Sequence, residues 1–317
     1  MTVFPAGARR HLCMPGRIGR GTELAGFSVV FLDPIDSRKA STMRALFALY
    51  AFAAYALFLA AFLYAIGFVG NLLVPKSIDS GVVNAPRMAL LIDVILLGAF
   101  AIPHSVMARP AFKRWWTGFV PPAIERSTYV LVSSLLLCLL YGYWQPLPEL
   151  VWHVEATIPA MALTGVFWLG WLIVLLSTFM ISHFELFGLS QALRSHAESR
   201  AHSPVLVTRF LYRFVRHPIM LGFILAFWAT PRMTVGHLLF AAMTTAYIVV
   251  GVLLEERDLV ALFGRTYVDY RKRVPMLIPS GRSVGVDELT AAPPIAPALD
   301  ALGRPIPASL KGASRGR

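Results

Sequence analysis

Arg216 and His217 directly precede Pro218, and thirteen residues without a formal charge, Pro218 to Thr230, follow. Some forty residues on, Glu255 and Glu256 close another apolar run, Thr234–Leu254. A guanidinium, an imidazole and two carboxylates can between them hold an anion, hold a cation and move a proton. Pro218 suits the first position of a helix, where unsatisfied backbone N–H groups favour an anion. Gly222, four residues later, has no Cβ and admits a ligand or a neighbouring helix at close range. Tyr212 lies just before this stretch, and Tyr267 and Tyr270 lie just after the glutamates.

Other polar side chains interrupt apolar runs and are functional candidates for the same reason: burying them uncompensated is costly. Asp93 and His104 are eleven residues apart, which at 3.6 residues per turn returns to nearly the same helix face. They can line one side of a cavity; near the helix ends they would simply sit at the membrane interfaces. His183 and Glu185, in "SHFELFGL", close a further apolar run, where a helix end at headgroup level commonly carries such groups. His217, His183 and His104 are the candidate proton carriers. No metal ligand set is expected, and Cys13 and Cys138 give neither a metal signature nor a disulfide framework.

The elements that must position these groups follow from composition. With 57% hydrophobic residues, 15% charged and a mean hydropathy of +0.64, the chain has too few charges to cover a soluble surface. A membrane crossing needs roughly 20 helical residues. Ala45–Val69, Met88–Met107, Ser127–Trp144, Ile158–Ile181 and Thr234–Leu254 meet that length. Pro218–Thr230 reaches it only if its helix begins earlier, near Arg209; it then forms a hairpin with Thr234–Leu254, turning at Pro231. The expected fold is all-α and polytopic, with five to six transmembrane helices, a C-terminal helical hairpin and an interfacial helix. That helix is drawn from Leu259, Leu262, Phe263, Tyr267 and Tyr270, which recur at helical spacing. Counting along such a hairpin sets Leu254 level with Phe210, and His217 seven residues deeper, roughly 10 Å at 1.5 Å per residue. That separation suits an extended, zwitterionic, aromatic-bearing ligand better than a metal ion or a single phosphate.

Alternate loops are basic. Arg109, Lys113, Arg114 and Arg126 follow the second span, and Arg194, Arg200, Arg209, Arg213 and Arg216 follow the fourth, whereas Gln145–Thr157 has no lysine or arginine. This bias places both termini and the Arg216–His217 stretch in the cytoplasm, as for a multi-pass protein of a bacterial inner membrane. It also accounts for the net charge of +12 through contact with anionic membrane lipid; no soluble basic domain for nucleic acid is present. Residues 1–42 read as a basic N-terminal extension, disordered or preceding a true start at Met43. Residues 43–279 form the membrane domain, and 280–317 a Pro/Ala-rich disordered tail.

"VRHPIMLG", followed by "EERDL", spaced tyrosines and "VPMLIP", resembles the C-terminal signature of membrane-embedded methyltransferases, a group that includes isoprenylcysteine carboxyl methyltransferase, phospholipid methyltransferases and the NnrU/nurim proteins. The wider pattern there is Arg-His-Pro-x-Tyr-x-Gly, then a glutamate pair. Arg216, His217, Pro218, Gly222, Glu255, Glu256, Tyr267 and Tyr270 match it, while Met220 stands where the pattern has tyrosine. "HSVMARPAFKRWW", "ERSTYVL", "FELFGL" and "AFWATPRMTVGHLLFA" extend the likeness over about residues 43–279, to the methanethiol S-methyltransferase branch of the nurim family.

The resemblance implies S-adenosyl-L-methionine as methyl donor and a small volatile thiol, methanethiol, as acceptor, giving dimethyl sulfide. It implies that Glu255 and Glu256 hold the donor's cationic end, Arg216 meets its carboxylate, Tyr212 and the other tyrosines or Phe214 flank its adenine, and His217 bonds the donor or acts near the thiol. The donor residues would be the same for another small thiol, a prenylated cysteine or a lipid acceptor. A non-catalytic nurim-like protein is the reading from another class, and the intact Arg-His and Glu-Glu pairs weigh against it.

Overall fold

The computed structural model describes residues 34–193, 206, 208 and 210–279, with side chains from residue 41. The basic stretch before residue 34, the tail from residue 280 and the loop positions of Arg194, Arg200 and Arg209 lie outside the described residues. The helices are α1 (Pro34–Gly70), α2 (Pro86–Ala108), α3 (Pro110–Trp116), α4 (Glu125–Tyr143), α5 (Thr157–Ile181), α6 (His183–Leu186), α7 (Leu189–Leu193), α8 (Pro218–Trp228), α9 (Val235–Phe263) and α10 (Arg265–Arg273). Helix α1 runs through Met43 without a break.

Among the described residues, five helices are long and apolar enough to cross a membrane: Ser41–Gly70 of α1, α2, Pro122–Tyr143 including α4, α5 and α9. Their outward faces carry large apolar side chains such as Leu49, Phe52, Ile102, Leu135, Trp168 and Leu253. Such a surface would aggregate in water and is what lipid requires. Where α1 packs on α4 and α7, its buried face includes Ala51, Ala54 and Ala61, small residues that let backbones approach when lipid removes the hydrophobic drive for association. The core beneath is aromatic: Phe68, Tyr141, Trp144, Trp171, Phe227 and Phe240 are all buried.

The sixth segment differs from the length expected of it. Helix α8 begins at Pro218 and has eleven residues, too few to cross. Its extension back toward Arg209 is replaced by a 3₁₀ turn, Phe210–Arg213. The N–H groups of Arg216 and His217 then donate to the carbonyls of Pro275 and Met276, at 2.9 and 3.2 Å, so they are held across the chain rather than by a preceding helical turn. Helix α8 packs chiefly on α5. There Gly170 meets Gly222 so closely that a Cβ on either would come within 2.6 Å of the facing backbone. The nearness that Gly222 permits is therefore to a helix.

Two short strands were not foreseen in an all-helical chain. β1 (Leu150–His153) and β2 (Arg232–Thr234) pair antiparallel, and the Trp152 indole donates to the Thr230 carbonyl at 3.1 Å. They fasten the arginine-free loop to the turn of the α8/α9 hairpin. The Thr234 hydroxyl oxygen accepts from His237 N–H at 3.1 Å and so caps α9. At the other end Gly264, with φ +56°, lets the chain turn from α9 into α10. Helix α10 is not laid on lipid by its aromatic face: Tyr267, Tyr270 and Val274 are buried with Leu259 against the protein.

Candidate functional site

The site lies at the end of the bundle that carries the basic loops. Arg216 is fixed by four bonds. Its backbone N–H meets Pro275, its Nε donates to Glu256 Oε1 at 2.6 Å, and its Nη1 donates to the carbonyls of Arg271 and Val274 at 2.8 and 2.6 Å. Both side chains of the Arg216–Glu256 pair are under one-tenth exposed, so each depends on the other for its charge to be tolerated. Arg271 Nη1 adds a longer contact to Glu256, 3.7 Å. Beneath them the Tyr270 hydroxyl donates to the Tyr212 carbonyl at 2.6 Å, linking α10 to the turn before Arg216.

His217 stands between the two carboxylates, its Nε2 3.3 Å from Glu256 Oε1 and its Nδ1 3.7 Å from Glu255 Oε2. It is not 10 Å deeper than the glutamates, as a continuous helical leg would make it. The physical reason is the broken helix: the chain leaves helical geometry before Pro218, and the side chains of Arg216, His217 and Glu256 close what remains. Burial raises the ordinary hydroxyl pKa of Tyr212, and the nearby negative charge of Glu255 adds to the rise. Tyr267 and Tyr270 are raised chiefly by burial as well.

A recess enclosing about 30 Å³ is lined by Tyr212, Arg216, His217 and Glu255 together with Ile181, Ile219, Met220 and Leu259. One half is polar and charged, the other aliphatic. Of the sequence candidates, Tyr212, Arg216, His217 and Glu255 meet here; Glu256 lies behind Arg216, and Tyr267 and Tyr270 form the buried support. Pro218 is the first residue of α8, as expected, and Gly222 faces α5. Phe214 is exposed.

The other two histidines are held elsewhere. His104 bonds Tyr129 through either ring nitrogen, at 2.9 and 3.1 Å, and Ser133 at 3.1 Å, and it stacks on Phe100. Asp93 does not share a cavity with it: Asp93 is buried and accepts from Gln145 N–H at 2.8 Å. His183 bonds Thr178 and Tyr55 at 3.0 and 2.8 Å and stacks on Phe179; burial lowers its pKa from the usual imidazole value. Neither His104 nor His183 lines the recess.

Sequence reasoning missed Ile181, Ile219 and Arg271 as site residues. Leu259, read only as part of an interfacial helix, also lines the recess; it stands one turn after Glu255 on the same helix face. Nothing in the sequence pointed to Ile181, which arrives from α5.

A bundle of five membrane-length helices with a half-charged, half-aliphatic recess at its basic end defines a polytopic membrane protein equipped for a small ligand with both a polar and an apolar part. Comparison with known proteins narrows the class. The chain is 58% identical over 231 residues to methanethiol S-methyltransferase 2 of Bradyrhizobium diazoefficiens, covering 73% of this chain and 89% of that protein. It is 53% identical over 236 residues to the methanethiol S-methyltransferase of Mycobacterium tuberculosis, covering 74% and 97%. Nurim of Xenopus laevis is more distant, 31% identical over 167 residues, with 50% and 58% covered. The chain belongs to the methanethiol S-methyltransferase family. No family model matches it, and no solved structure does.

Proposed function

We propose that this protein methylates methanethiol with S-adenosyl-L-methionine as donor, producing dimethyl sulfide. The observation that carries this reading is the recess itself, with an imidazole, a carboxylate and an aliphatic wall in one small space, in a chain 58% identical to a methanethiol S-methyltransferase. The residues present suit a zwitterionic, cationic donor. The Glu255 carboxylate faces the recess and can attract an ammonium or a sulfonium, and the Tyr212 and Arg216 side chains lie beside it. When bound, the donor would supply a methyl carbon made electrophilic by its sulfonium.

The protein's own task is positioning and exclusion of water. The acceptor sulfur forms its bond to the methyl carbon as the bond from that carbon to the sulfonium sulfur breaks. The thiol proton leaves to His217 or to water, because the thiolate is the nucleophile. Arg216 is committed to Glu256 and to two carbonyls, so its part is to hold His217 and Glu256 in place beside whatever it contributes to the donor. In this reading the basic end faces the cytoplasm of a bacterial inner membrane, where the donor is dissolved, and the thiol arrives from the lipid.

Membranes containing the protein, incubated with methanethiol and labelled S-adenosyl-L-methionine, should release labelled dimethyl sulfide into the headspace, measured by gas chromatography. A correctly inserted protein that binds donor and yields no dimethyl sulfide would overturn the acceptor assignment.

A further inference from the structure

We infer that the aliphatic half of the recess is the seat of the acceptor's carbon end, and that Met220 and Ile219 set how long that end can be. This rests on the function proposed above. Ile181, Ile219, Met220 and Leu259 come from three different elements, the end of α5, the first turn of α8 and α9 one turn past Glu255. They line the same recess as the imidazole and the carboxylate. None of the four side chains offers a hydrogen bond that could orient a polar ligand, so this wall selects by size and apolar contact alone.

The wall is close. The enclosed space is only about 30 Å³, which leaves room for a very short hydrocarbon. Met220 and Ile219 are half-buried on the first turn of α8, whose position is fixed by the Gly170–Gly222 contact with α5. The wall therefore cannot retreat as a unit, and added length in the acceptor meets side chains on a braced helix. Leu259 is fully buried and braces Tyr267 and Tyr270; it is support as much as wall. Met220, an unbranched side chain, is the member whose shortening enlarges the recess with least damage to the packing behind it.

The test compares methanethiol, ethanethiol and 1-propanethiol as acceptors for the unaltered protein, Met220→Ala and Ile219→Ala. One methylene in an apolar pocket changes specificity by roughly 10- to 200-fold. The ratio of kcat/KM for 1-propanethiol to that for methanethiol should therefore rise by about 10-fold or more in Met220→Ala, with the KM for the donor unchanged. Ratios within about two-fold of the unaltered protein in both variants would overturn the inference, as would a change confined to the donor's KM. If Met220→Ala does not fold, Ile219→Ala and the milder Met220→Val read the same ratio. Saturation-transfer NMR on the detergent-solubilised protein, with dimethyl sulfide and dipropyl sulfide as probes, separates this idea from the proposed activity. Met220→Ala should gain contact with dipropyl sulfide even in a protein that methylates no thiol, and an absence of any gain would count against the wall directly.

Discussion

His217, just before the first residue of α8, and His104, inside α2, are both imidazoles beside apolar helix, and the protein surrounds them in opposite ways. His104 is met by two hydroxyls, from Tyr129 and Ser133, and by the ring of Phe100. Its partners are neutral and internal, the arrangement that lets a polar group sit in an apolar bundle at little cost. His217 is flanked by two carboxylates and by a guanidinium that shares one of them. Charges gathered in so buried a place are costly to desolvate and could be replaced by hydrocarbon without loss of stability. The charged cluster lines this recess and His104 does not. The difference teaches that nearness to an apolar run does not separate a functional histidine from a structural one; the charge of its neighbours and an opening beside it do.

The comparison can be broken most forcefully at Glu256. Glu256→Ala should leave the Arg216 guanidinium buried without its partner and cost on the order of 3–5 kcal/mol, seen as a large drop in the midpoint of thermal unfolding in detergent, with activity lost alongside. An unchanged midpoint would mean that the pair does not brace the site. Glu255→Gln should act differently, because its carboxylate faces the recess. A charged hydrogen bond contributes about 1.5–3 kcal/mol, so the donor's KM should rise about 10- to 100-fold while the unfolding midpoint stays in place. If the two substitutions gave the same pattern, the division into a support glutamate and a ligand glutamate would fall.

Lys113 sharpens the contrast by pH. It is buried with Glu125 and Arg126 but does not line the recess. Burial first, and the positive charge of Arg126 second, pull the pKa of its ammonium down from the ordinary 10.5 to about 8. Between those pH values the unfolded chain binds the proton that the folded chain has released, so stability should rise with pH from about 8 upward. Above about pH 10 the buried tyrosines, whose raised pKa values favour the folded state only while they are protonated, begin to oppose the rise. Lys113→Met should flatten the rise in stability in pH-dependent thermal unfolding, with activity at neutral pH little affected. The smallest effect is expected at His104. His104→Phe should keep kcat/KM within about two-fold and cost about 1 kcal/mol of stability for the lost hydrogen bonds. A hundredfold loss would restore His104 as a proton carrier.

Much of this was legible in the residues. Runs such as Ala45–Val69 and Thr234–Leu254 matched α1 and α9, since the length of hydrocarbon a helix must cross is counted along the chain. Pairing of Arg216–His217 with Glu255–Glu256 followed from reading Pro231 as a hairpin turn. The eleven-residue spacing of Asp93 and His104 said nothing of partners, which come from the Gln145 backbone in one case and from α4 in the other. The partner of His183 was equally out of reach, because Tyr55 of α1 meets it from a segment 128 residues away.

What the sequence determined by itself is the solvent and the chemistry at hand: a chain made for lipid, with an arginine–histidine pair and a glutamate pair brought to one end of a bundle. Hydrophobic length and charge bias are sums over neighbouring residues, and neighbours are what a sequence records. The tertiary structure decided that α8 starts at Pro218, that Arg216 and His217 lie against Pro275 and Met276, that Gly222 serves the α5 contact, and that Ile181 joins His217 in lining one recess. Each of these depends on a backbone hydrogen bond or a close approach between segments far apart in the chain. Such contacts are set by helix tilt and by the packing of the whole bundle, which no local spacing encodes.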